Sequence, residues 1–145
     1  MRRAGRVLFL VALAAYVVSF YLPAFLVVAD GSASSEYGYF AFVVSFSALD
    51  QEMLGGRAAF GLWLANPAFW GGAFLYARGQ PGWALPFGAG AVLLASRLLL
   101  DPLVLPGYYV WVAAMALLIV ACALHLMPTP REPSEAEHVS WPPCQ

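Results

Sequence analysis

The chain has 145 residues, 62% of them hydrophobic and 10% charged, with a formal net charge of −1. It is one domain by length and far more apolar than soluble averages. Its near-zero charge implies no nucleic-acid partner. All seven basic residues are arginine, and the frequent Ala, Gly, Arg and Pro suggest a GC-rich bacterial genome.

Stretches 7–29 and 58–77 carry no charge; 83–100 and 107–127 carry only Arg97 and His125, each near the end of its stretch. A helix rises about 1.5 Å per residue, so roughly 20 residues cross a hydrocarbon core of about 30 Å. The pattern predicts an all-α integral membrane bundle of four transmembrane helices, at about 7–29, 57–77, 83–100 and 107–127. The bundle forms one domain, 1–127, followed by a tail.

The first span has a basic start but an apolar run too long for a signal-peptide core, so it is read as retained. Pro23 is expected to bend its outer end, because a helix stopping there would be too short to cross. Within the connection that follows, Gly31 to Ser35 has loop composition. Residues 37–49 are uncharged and hold Tyr37, Tyr39, Phe40, Phe42 and Phe46. Too short to span, this stretch reads as an interfacial or re-entrant segment in the first outer loop.

In the second span small residues recur at Ala58, Gly61, Ala65, Ala68 and Gly72; in the third at Ala84, Gly88, Ala91 and Ala95; in the first at Ala12, Ala15 and Ser19. In lipid such faces let helix backbones approach closely. The stretch Ala77-Arg-Gly-Gln-Pro-Gly82 predicts a tight hairpin turn. Asp101-Pro-Leu-Val-Leu-Pro106 makes a short, stiff connection, and Tyr108, Tyr109 and Trp111 form an aromatic belt at the start of the fourth span. Residues 128–145, with five prolines and three glutamates, read as a cytoplasmic tail with Trp141 as a docking point.

Arg2, Arg3, Arg6, Arg78 and Arg131 fall on one side of four spans, against Arg57 and Arg97 on the other. The positive-inside rule then puts both termini in the cytoplasm. The expected location is a bacterial inner membrane, multi-pass. Cys122 and Cys144 lie on the reducing side and form no structural disulfide.

The candidate sites are sparse. Asn66 lies near mid-span before Pro67, whose missing N–H frees the Trp63 carbonyl. Asn66 could satisfy that carbonyl, bond to another helix, or join Ser19 at similar depth in a ligand or ion site. Arg97, four residues before Asp101, is either an intramembrane functional charge or an arginine snorkelling to the interface. His125 has no second histidine at its depth, since His138 is in the tail, so haem ligation is not expected. It is read as a histidine at a helix C-terminus. No cofactor, metal or catalytic constellation is expected.

Trp63-Leu-Ala-Asn-Pro67 and Gly107-Tyr-Tyr-Val-Trp-Val-Ala-Ala-Met115 resemble two signature segments of small uncharacterised bacterial four-helix membrane proteins. In that group the segments open the second and fourth helices. The resemblance spans roughly residues 7–125 and implies four helices, with no activity to carry over. The chain departs from the group in its outer loop, at Gly38-Tyr-Phe-Ala-Phe42.

The expected function is a non-catalytic accessory or scaffolding subunit of a larger membrane complex, or a homo-oligomer, in contact with lipid. Tyr37, Tyr39, Phe42, Phe46 and Trp141 are the candidate docking residues. The alternative is a small ligand-binding or transport protein with a site formed by Ser19, Asn66, Arg97 and Asp101.

Overall fold

The computed structural model describes residues 2–29, 32–39, 57–96, 99 and 102–128. Phe42, Phe46, Arg97, Asp101, Trp141 and the tail beyond 128 lie outside the described residues. Those described form four helices and two strands, in the order α1 (Arg2–Ser19), β1 (Pro23–Ala29), β2 (Ser32–Tyr37), α2 (Arg57–Ala77), α3 (Pro81–Ala95) and α4 (Pro106–Leu126).

The all-α expectation is corrected at the end of the first span. α1 stops at Ser19, and Pro23–Ala29 is a strand paired antiparallel with Ser32–Tyr37. Pro23 disfavours helix in the residue before it. The Phe25-Leu-Val-Val28 run that follows favours extended backbone. Register pairs Ala29 with Ser32, so Asp30-Gly31 stands between the strands, a strong hairpin signal in the sequence. Tyr37, expected to open an interfacial segment, instead closes β2 opposite Pro23. The far edge of β1 is also paired. Leu26 N–H donates to the Leu103 carbonyl at 2.8 Å, and Leu105 N–H to the Ala24 carbonyl at 2.9 Å.

α2 and α4 lie close to their predicted bounds, whereas α3 starts two residues before the expected span and ends at Ala95, well short of 100. Pro81 and Pro106 each sit in the first turn of their helix, where a missing N–H costs nothing. α2 ends in a paired C-terminal cap. Gln80 N–H reaches the Leu75 carbonyl and Gly79 N–H the Tyr76 carbonyl, with Gly79 at φ 75°. Glycine adopts that left-handed conformation without a Cβ penalty.

α1 packs along α4, α4 along α3, and α3 along α2. α1 and α2 close the ring through large aromatics: Tyr16 stacks on Phe69 at 4.3 Å and Phe9 on Tyr76 at 4.6 Å. α4 buries Tyr108, Val112, Met115 and Leu118 in the core, whereas α3 contributes small residues to it. Ala84, Gly88, Ala91 and Ala95 of α3 are all buried. A Cβ on Gly88 would come 3.0 Å from Ile119, and one on Gly5 3.0 Å from both the Ala121 carbonyl and the Tyr76 hydroxyl. Meanwhile Trp83, Phe87, Leu93, Trp70, Phe74, Leu10 and Val7 are exposed. Among the described residues one helix, Pro106–Leu126, is long and apolar enough to cross a membrane, with mean hydropathy 2.2 and a third of its most apolar stretch buried.

Candidate functional site

Asn66 is where three helices meet. Its side chain is 6% exposed. Tyr16 of α1 donates its hydroxyl to Asn66 Oδ1 at 2.6 Å, and Trp111 of α4 donates its indole N–H to the same oxygen at 3.1 Å. An indole nitrogen is a donor only, so the partner atom must be the amide oxygen, and this fixes the amide's orientation. Asn66 Nδ2 then points back along α2 to the Trp63 carbonyl at 3.4 Å, at the long end for a hydrogen bond. That is the carbonyl Pro67 cannot serve. One amide thus both fills the gap left by the proline and accepts from two other helices.

Aromatic packing surrounds the node. Tyr16 lies parallel to Phe69 at 2° and meets Trp70 edge-on at 5.3 Å and Phe20 edge-on at 5.1 Å. Such pairs contribute about 0.5–1.5 kcal/mol beyond area burial. Ser19 is buried too, but its hydroxyl donates to the Tyr16 carbonyl at 2.6 Å, one turn back in α1. Among the described residues no buried side-chain nitrogen or oxygen is left without a hydrogen bond. Tyr16 and Trp111 were not singled out as partners in the sequence. The available signal was Tyr16 on the face of α1 shared with Ala12 and Ser19.

Of the other candidates, Tyr37 and Tyr39 are 48% and 56% exposed and stack on each other at 6.2 Å. Arg97, Asp101, Phe42, Phe46 and Trp141 lie outside the described residues. At the α3–α4 end, the Tyr108 hydroxyl donates to the Ala95 carbonyl and the Tyr109 hydroxyl to the Leu99 carbonyl at 3.2 Å. The Tyr108 phenol serves a carbonyl that the end of α3 leaves without a helical partner.

A second group lies at the opposite end of the bundle. His125 Nδ1 is 3.3 Å from the Tyr76 hydroxyl, and the two rings meet edge-on at 5.5 Å. Arg6 lies beside them on the rim of an open cleft of about 340 Å³. Arg78 is nearby in sequence, but its guanidinium lies over the Phe74 ring at 4.4 Å. Sequence reasoning placed His125 at a helix end without finding Tyr76 as its partner. Among the described residues there is no cluster of three or more His, Cys, Asp or Glu side chains able to hold a metal ion. Cys122 is buried and free.

No family model, curated protein or solved structure matches the chain.

Proposed function

We propose that this chain is a multi-pass membrane protein with four spans and both termini cytoplasmic, and that it acts as a non-catalytic packing subunit of a larger membrane assembly. One observation carries the proposal: α3 is inverted in side-chain size. Alanine and glycine are the buried residues of α3 after Pro81, while Trp83 and Leu93 of the same helix face outward. In water the large apolar groups would be inside. In lipid the helices gain nothing by hiding them, and small residues win the interior because they let backbones touch.

Charge agrees with that orientation. Arg3, Arg6, Arg78 and His125 lie at the end where α1 begins and α2 and α4 end, whereas Arg57, which opens α2, and Glu36 of β2, the acid among the described residues, lie at the other end. Positive charge at the cytoplasmic end is what the insertion bias favours. The outward face of α2 and α3, with Trp70, Phe74, Trp83 and Phe87, offers a partner helix a broad aromatic surface.

The transport alternative needs a polar group free to meet a ligand at mid-depth. Asn66, its anchor, already bonds to Tyr16, Trp111 and Trp63, so nothing here favours it.

Two measurements test the proposal. Carbonate extraction of native membranes should leave the chain in the pellet. Purification in mild detergent after cross-linking should then give a defined species at fixed stoichiometry. A stable monomer without partner would overturn the assembly role, and release by carbonate would overturn the membrane assignment.

A further inference from the structure

The cleft at the arginine-rich end is built from three helices. Arg6, Phe9 and Leu10 come from α1, Tyr76 from α2 next to the turn at Gly79, and His125 from α4. Its polar groups gather on one side: the Arg6 guanidinium, the Tyr76 hydroxyl, and a His125 ring whose Nδ1 is already turned to that hydroxyl. Its apolar lining is the Phe9 ring, stacked on Tyr76, and the exposed Leu10. Among the described residues no carboxylate is near it, because Glu36 sits at the far end. Arg6 therefore has no acidic partner among the described residues.

We propose that this cleft seats the phosphate of a phospholipid headgroup, with the first acyl carbons lying along Phe9 and Leu10. The inference rests on the membrane reading above. A guanidinium offers a planar fork of donors matched to two phosphate oxygens. Tyr76 and His125 supply further polar contacts at the same depth. The α1 surface then turns from polar to apolar in the direction a lipid lies. Arg3 and Arg6 are followed by Leu10, Ala14 and Val17, all exposed and spaced by three or four residues on one helix face. A free phosphate would use the polar wall alone; a phospholipid uses both.

The test is native mass spectrometry of the full chain, delipidated in mild detergent and titrated with phosphatidylglycerol, diacylglycerol and inorganic phosphate in separate arms. One phosphatidylglycerol should bind per chain, diacylglycerol should not, and inorganic phosphate should compete. Arg6→Gln should weaken lipid binding about fivefold, the loss expected for one arginine near a membrane surface. Arg78→Gln, which removes the same charge from a side chain held over Phe74, should change it less than twofold. Circular dichroism and elution volume check that both variants fold. Equal weakening by the two variants, equal retention of diacylglycerol, or a phosphate adduct without a lipid adduct would overturn the proposal. A chain that stays in carbonate-washed membranes yet binds no phospholipid refutes the cleft alone. One released by carbonate refutes the membrane reading as well.

Discussion

Replacing Asn66 by alanine removes the one acceptor shared by Tyr16 and Trp111. Hydrogen bonds between membrane helices contribute about 0.6 kcal/mol on average and up to about 1.7. The substitution also leaves a buried hydroxyl and an indole N–H without their partner, which adds to the cost. The expected destabilisation is about 2–3 kcal/mol. Tyr16→Phe is the finer probe, because the ring and its 4.3 Å stack on Phe69 survive while the hydroxyl goes. It should cost about 1 kcal/mol. The decisive measurement is the double-mutant cycle, read by unfolding in mixed detergent–SDS micelles. If the Tyr16 hydroxyl acts through Asn66, Tyr16→Phe should cost almost nothing once Asn66 is alanine, giving a coupling near 1 kcal/mol. Simple additivity, with coupling below about 0.3 kcal/mol, would refute Asn66 as the hub of the three helices.

Other outcomes follow from the packing. A Cβ on Gly107 would lie 2.6 Å from the Pro23 carbonyl oxygen and 2.9 Å from Leu22, so Gly107→Ala should destabilise by about 1–3 kcal/mol. Gly90→Ala, which meets open space, should be neutral or stabilising by up to about 1 kcal/mol in the same SDS unfolding assay. Leu26→Pro deletes the N–H that reaches the Leu103 carbonyl, and hydrogen exchange at the Leu105 amide, bonded to Ala24, should quicken if the pairing is lost as a unit. A reporter fused after Gln145 should read as cytoplasmic; a periplasmic signal would overturn the four-span orientation.

Much of the helix pattern was legible because apolar helices follow simple rules of length and residue size. The small-residue face Ala84, Gly88, Ala91 and Ala95 was visible as a spacing, and all four residues are buried. Asn66 before Pro67 stood out because proline leaves a nameable carbonyl unserved, and the amide does face Trp63. Two kinds of feature escaped. Which partner Asn66 meets depends on helix rotation and on contacts far apart in sequence, which no local pattern encodes, so Ser19 was preferred over Tyr16. The hairpin escaped because hydrophobicity over residues 23–29 fits a helix end and a buried strand equally well. Pro23, the β-branched Val27-Val28 and Asp30-Gly31 together were the evidence for a strand.

The hairpin also explains how the proposed bundle can hold two helices of modest length. α1 has 18 residues and α3 has 15, which rise about 27 and 22 Å, short of a core about 30 Å thick. Both fall short at the same end, where α1 leads into β1 and the segment after α3 leads to Leu103–Leu105. Non-helical backbone at that depth is tolerated where its N–H and C=O groups are bonded within protein. Around Ala24 and Leu26, β1 is bonded on both edges, with β2 on one and Leu103 and Leu105 on the other. Its side chains fit too: Ala24 is buried, and Phe25 lies edge-on to Tyr108 at 5.4 Å. In β2, by contrast, Ser32, Ser34 and Ser35 are exposed. The hairpin end of the bundle is thus completed by strand pairing where two helices run out.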